Sequence, residues 1–134
     1  MIILHHGWRS SASRRVRLCL EEKGLAYESH VVDMTKMEHH SAEYLKINPL
    51  GVIPTLIHDG RPLHESGTIC EYLDETFPDP PLRPATAYER AEMRNWIRHI
   101  DDEMPRHPRV NQWWSTIQAR PAFARANIGP FLDS

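Results

Sequence analysis

Apolar and polar positions along the chain switch between two periods. Ile2 to His6 is a short β-branched run closed by Gly7, and Tyr27 to Val32 is a second, valine-bearing segment, so both are predicted strands. From Ser13 to Lys23, Val16, Cys19 and Leu20 recur at helical spacing, with Gly24 where a C-terminal cap belongs. Ala42 to Lys46 predicts a short helix ended by Asn48-Pro49 and Gly51. Thr55 to His58 and Arg61 to His64 flank Asp59-Gly60, a two-residue hairpin turn. Glu65 to Phe77 then reads as a helix with Ile69, Tyr72 and Leu73 on one face, stopped by Pro78, Pro80 and Pro81. A βαβ unit followed by a ββα unit is an α/β layer arrangement.

The proline-rich stretch from Pro78 to Pro84 is a natural linker, and beyond it the pattern is helical. Ala87 to Glu103 carries Met93, Trp96, Ile97 and Ile100 on one stripe. Pro105 and Pro108 break it, Val110 to Ala119 forms a last helix with Trp113, Trp114 and Ile117, and a short turn opens at Arg120-Pro121. The tryptophans on these helices are expected to be packing residues.

Composition narrows the class. With 134 residues, 40% hydrophobic and 25% charged, the chain can bury a core of its own. A formal charge of −2 with interspersed signs offers no basic stripe, so no nucleic-acid or membrane partner is expected. Met1 to Gly7 lacks a basic n-region and a small-residue cleavage site, and no apolar run reaches spanning length, which points to a cytoplasmic location. Cys19 and Cys70 lie far apart and outside any C-x-x-C pattern, an argument against a redox pair or a disulfide framework. The pairs His5-His6 and His39-His40 lack i, i+4 ligand spacing, so no metal site is expected.

Four stretches together resemble one family. Trp8-Arg9-Ser10-Ser11-Ala12-Ser13-Arg14-Arg15-Val16-Arg17 resembles the serine-bearing first loop of zeta-like glutathione S-transferases. Asn48-Pro49-Leu50-Gly51-Val52-Ile53-Pro54 is similar to the family's loop before its cis-proline, and Glu65-Ser66-Gly67-Thr68 to its Glu-Ser helix start. Arg120-Pro121-Ala122-Phe123 is similar to its last helix, and the tract from Leu82 to Glu103 resembles the linker and fourth helix of bacterial β-etherase-type members. The resemblance implies an α/β, thioredoxin-like domain with a four-stranded mixed sheet over residues 1–78, a linker over 79–86, and a truncated all-helical C-terminal remnant over 87–134. Only the first and last helices of the family's second domain are recognisable.

It also implies a chemistry. Glutathione, as co-substrate, would have its thiol activated for attack on a small hydrophobic electrophile, and the protein would associate as a homodimer. Ser10 would donate to the thiolate near a helix N-terminus, with Ser11 next door able to take the same role. Ser10, Ser11 and Ser13 are also ordinary N-cap candidates, and capping is the role expected of Ser13. Ile53 would pair its backbone with the cysteinyl part of glutathione, before a cis Pro54. Ser66 would donate to the γ-glutamyl carboxylate while capping its helix, Glu65 would face the ammonium group, and His40 would approach the glycine end. With a serine rather than a cysteine at position 10, thioether chemistry is expected rather than thiol exchange. A non-catalytic glutathione-binding or subunit-interaction module is the competing expectation.

Overall fold

The computed structural model describes residues 1–103, 116–117 and 119–126. Its first half is built as the hydrophobic pattern requires. Strand β1 spans Ile2–His6, helix α1 Ser11–Glu22 and strand β2 Glu28–Val31. A 3-10 turn over Glu38–His40 leads into α2, Ala42–Ile47. Strands β3, Thr55–His58, and β4, Arg61–Leu63, precede α3, Ser66–Thr76. Helix α4 runs Ala87–Glu103 and α5 Pro121–Arg125. Of the predicted Val110 to Ala119 helix, only Thr116 and Ile117 are described and helical, and Trp113 and Trp114 lie outside the described residues.

The sheet has the order β2-β1-β3-β4, mixed in direction. β1 pairs parallel with β2, Leu4 opposite Ser29, and antiparallel with β3, Leu4 opposite Leu56. The β3–β4 hairpin turns through Asp59 and Gly60, both at positive φ (49° and 78°), the twist-matching geometry that an Asp-Gly pair favours. Strand alternation puts Ile2 and Leu4 on one face with Leu56, and α1 and α3 cover that face with Val16, Cys19, Leu20, Ile69 and Leu73. On the other face Tyr44 of α2 packs edge-on to His5 and is hydrogen-bonded to the Thr55 hydroxyl at 2.9 Å.

α1 and α3 run parallel, tied at one end by Arg15 donating to Ser66 Oγ (3.0 Å) and at the other by the buried Lys23–Asp74 pair (2.6 Å). Lys23 also donates to the Pro80 carbonyl (2.8 Å) and the Leu82 N–H to Asp74 (2.8 Å), so the same pair anchors the start of the linker. The Asp79-Pro80 bond within it is cis.

Helix α5 docks on α1. Phe123 and Ala126 pack with Leu18 and Ile117, Arg120 pairs with Glu22, and Arg125 pairs with Glu21 at 3.3 Å. α4 touches α3, with Arg94 forked onto Glu71 and Ile97 over Gly67. Trp96 departs from its expected packing role: it is 64% exposed. One residue rotates the helix by about 100°, so Ile97 facing α3 turns its neighbour away from the contact.

Candidate functional site

The loop from Gly7 to Ser10 gathers the first predicted residues. Ser10 is the N-cap of α1, its Oγ accepting from the Ser13 N–H at 3.1 Å. A hydroxyl has two lone pairs and one proton, so capping leaves the Ser10 O–H free to donate. Ser11 follows as the first, exposed residue of the helix. Ser13 is not the cap: it is buried, and its Oγ accepts from the Gly7 N–H at 3.3 Å, bracing the loop from within. The cap expected of Ser13 is therefore supplied by Ser10, which has the extended backbone (φ −66°, ψ 120°) that a cap adopts.

Two guanidiniums fix the same loop. Arg14 Nε and Arg17 Nη2 both donate to the Trp8 carbonyl, at 3.2 and 3.1 Å. Arg17 also lies 4.4 Å from the Trp8 ring centroid and donates to the Ala126 carbonyl at 2.9 Å, joining α5 to the loop. Burial pulls Arg17 down to about 10, which leaves it charged at neutral pH. Next to it His6 is pulled down to about 4 by burial and then by the Arg17 charge, so it is neutral there and hydrogen-bonded to Ser29 Oγ at 2.8 Å.

Gly7 is where separate segments converge. A Cβ placed on it would lie 2.7 Å from Ile53 Cδ1, and 3.8 Å from both Ser10 Cβ and Met34 Cγ. The Ile53 side chain and Ser10 therefore both border Gly7, and the Ile53-Pro54 bond is cis. The segment before it is pinned from α2: Tyr44 Oη and Asn48 Nδ2 both donate to the Val52 carbonyl, at 2.6 and 2.7 Å. His40 is exposed, and its ring lies against Gly51, two residues before Ile53.

At the start of α3 the N-cap position belongs to Glu65, not to Ser66, and Glu65 makes no side-chain cap bond. Its φ of 65° is unusual for a residue with a Cβ. Ser66, the first helical residue, is 7% exposed and accepts from Arg15, which leaves its own O–H to donate. The turn beginning there has N–H groups without helical partners and the positive end of the dipole, a favourable seat for a carboxylate. A cleft of about 450 Å³ opens beside it, between Glu65, Gly67 and Thr68 on one side and Arg94, Ile97 and Arg98 on the other. Sequence reasoning missed Arg15, Met34 and the Arg14–Arg17 clamp. The basic pattern of Arg14, Arg15 and Arg17 on α1 was the available signal, but a helix sequence does not name the carbonyl or hydroxyl each arginine reaches.

Residues 4–81 match the family description "Glutathione S-transferase, N-terminal domain". Protein LigF of Sphingobium sp. strain SYK-6 is 49% identical over 85 residues, 62% of this chain and 33% of that protein. The maleylacetoacetate isomerase of Dictyostelium discoideum is 41% identical over 104 residues, 76% of this chain and 48% of that one. The crystal structure of the beta-etherase LigF superposes with a TM-score of 0.72 at 32% identity, covering 96% of this chain and 64% of the other. The chain belongs to the glutathione S-transferase family, and its mixed sheet with packed helices is the family's thioredoxin-like fold. It spans a third to about half the length of these two curated relatives.

Proposed function

We propose that the chain binds glutathione and lowers the pKa of its thiol for attack on a small hydrophobic electrophile. The convergence of Ser10 and the Ile53 side chain on Gly7 carries this reading, because it brings a hydroxyl-bearing residue at a helix N-terminus close to the residue whose backbone would hold the cysteinyl group. A free thiol titrates near 8.5 and the thiolate is the nucleophile. One hydrogen bond from Ser10 worth about 1.4 kcal/mol would lower that value by about one unit. Ser11, exposed next door, is the alternative donor.

In this reading Ser66 and the first turn of α3 receive the γ-glutamyl carboxylate, with the Arg15 guanidinium adding charge nearby. Glu65 faces the ammonium group, and its unusual backbone is the kind of local strain found at ligand sites. Ile53 and Pro54 hold the cysteinyl part, and His40 the glycine end. Residues 1–78 form the glutathione-binding unit, 79–86 the linker, and 87–134 belong to a second unit. The protein works in the cytoplasm as a homodimer, which would cover outward residues of α4 such as Trp96 and Tyr88, 64% and 73% exposed.

A second reading, a non-catalytic glutathione-binding or subunit-interaction module, is favoured by the exposed Tyr88 and Trp96 on α4. Turnover of a chlorinated aromatic electrophile with glutathione, against the uncatalysed rate, separates the two. The shared step is tested by calorimetric titration of glutathione into the wild-type chain and Ser66→Ala. Loss of a charge-assisted bond should weaken binding tenfold or more, about 1.5 to 3 kcal/mol. Unchanged affinity in Ser66→Ala would remove the carboxylate from this helix.

A further inference from the structure

The interface between α1 and α3 is a ladder. Arg15 meets Ser66 and Lys23 meets Asp74, each pair 51 residues apart in sequence. Both rungs advance by two turns of each helix, so the rung midway between them joins position 19 to position 70. Those positions hold Cys19 and Cys70, the two cysteines of the chain. An independent contact agrees: Cys70 Sγ lies 3.9 Å from the Arg15 carbonyl. In an α-helix that carbonyl accepts from the N–H of the residue four further on, which is Cys19. Cys19 belongs to the core cluster under the sheet, and Cys70 packs against that cluster. The distance between them in sequence, which argued against a redox pair, is cancelled by the fold.

We propose that Cys19 and Cys70 form a reversible disulfide that staples α1 to α3, with a small peroxide as oxidant. Packed helices lie about 8–10 Å apart, with Cα atoms about 2.3 Å from each axis, so directly facing residues have Cα atoms about 3.4–5.4 Å apart. Bridged cysteines need about 4.4–6.8 Å, and the two ranges overlap. Cys19 is 7% exposed and Cys70 is half-buried, so the oxidant that reaches them is a small one, as a peroxide is. The contact with Cys70 lowers the pKa of Cys19 and, with burial, raises that of Cys70, so Cys19 is the thiol of the pair that ionises more readily.

The steps balance. The Cys19 thiolate attacks one peroxide oxygen, the O–O bond breaks, and the departing hydroxide takes a proton to leave as water, giving a sulfenic acid. The Cys70 sulfur then attacks the Cys19 sulfur, the S–O bond breaks, an S–S bond forms, and the released hydroxide takes the Cys70 proton to leave as a second water. One peroxide is reduced and a pair of thiols oxidised to one disulfide. Reduction by a low-molecular-weight thiol reverses it through a mixed disulfide, consuming two thiols and releasing their disulfide. The staple would join the helix that begins beside Ser10 to the helix that begins at Ser66, independently of whether glutathione binds there.

The test treats the wild-type chain with hydrogen peroxide, quenches, denatures, and counts free thiols alongside intact mass and peptide mapping. The expected result is loss of both thiols, a mass decrease equal to the two thiol hydrogens, one linked peptide containing Cys19 and Cys70, and recovery with dithiothreitol. Cys70→Ser should instead leave a Cys19 sulfenic acid captured by a cyclic 1,3-dione. If that variant does not fold, the wild-type map still decides. Survival of both thiols, addition of oxygen without a link, or links only between chains would overturn the proposal.

Discussion

Gly51 shows how one residue couples a turn to the site. It holds φ at 62°, and a Cβ there would lie 2.7 and 2.9 Å from His40 Nδ1 and Cε1 and 3.2 Å from the His39 carbonyl oxygen. Gly24 has nearly the same φ, 63°, with nothing within 4 Å. Gly51→Ala should therefore destabilise more than Gly24→Ala: both carry backbone strain on the order of 1–2 kcal/mol, and only the first also displaces His40. Urea denaturation of the two variants measures the difference, and equal losses would mean the His40 contact costs nothing. The turn at Asn48-Pro49 was legible because those residue types punctuate chains, whereas the His40 contact depends on how two loops meet. The same limit explains the serines: three candidates for one cap are visible in the sequence, but backbone geometry chose Ser10.

Among the elements, β1 follows its apolar period closely, burying alternate residues, and α4 is observed over the predicted Ala87–Glu103. Periodicity names a buried face but not what it meets, so the α1–α3 ladder and the outward turn of Trp96 were beyond it. The ladder's lower rung makes a testable contribution to stability. Lys23→Met leaves Asp74, buried to 5%, without its closest partner, a change that costs about 3–5 kcal/mol when a buried carboxylate loses its only cation. Arg83 at 3.3 Å remains, which favours the lower end of that range.

Burial alone would raise the Asp74 pKa, but the Lys23 hydrogen bond and the Leu82 N–H outweigh it and hold the carboxyl below its usual range. A depressed folded-state pKa contributes stability that is present above the unfolded value and lost as pH falls through the folded one. Denaturation midpoints measured from neutral pH downward should thus show an acid loss in the wild type that is smaller in Lys23→Met. Parallel pH curves would place the acid sensitivity elsewhere.

At the scale of the molecule, α5 returns to α1, and Pro80 and Leu82 are anchored on Lys23 and Asp74, so these later segments lean on α1 and α3. The motif order made the sheet and both serine-bearing helix starts legible, while Arg15 reaching Ser66 across 51 residues has no sequence signature. In the proposed function both helix starts would act together, one holding glutathione and the other ionising its thiol. The direct measurement is thiolate absorbance of bound glutathione against pH, in the wild type and in Ser10→Ala. The wild type should titrate about one unit or more below the free thiol's roughly 8.5, and Ser10→Ala should move back toward that value while affinity near neutral pH is largely kept. Superimposable titrations in the two proteins, or no bound thiolate in either, would contradict the account.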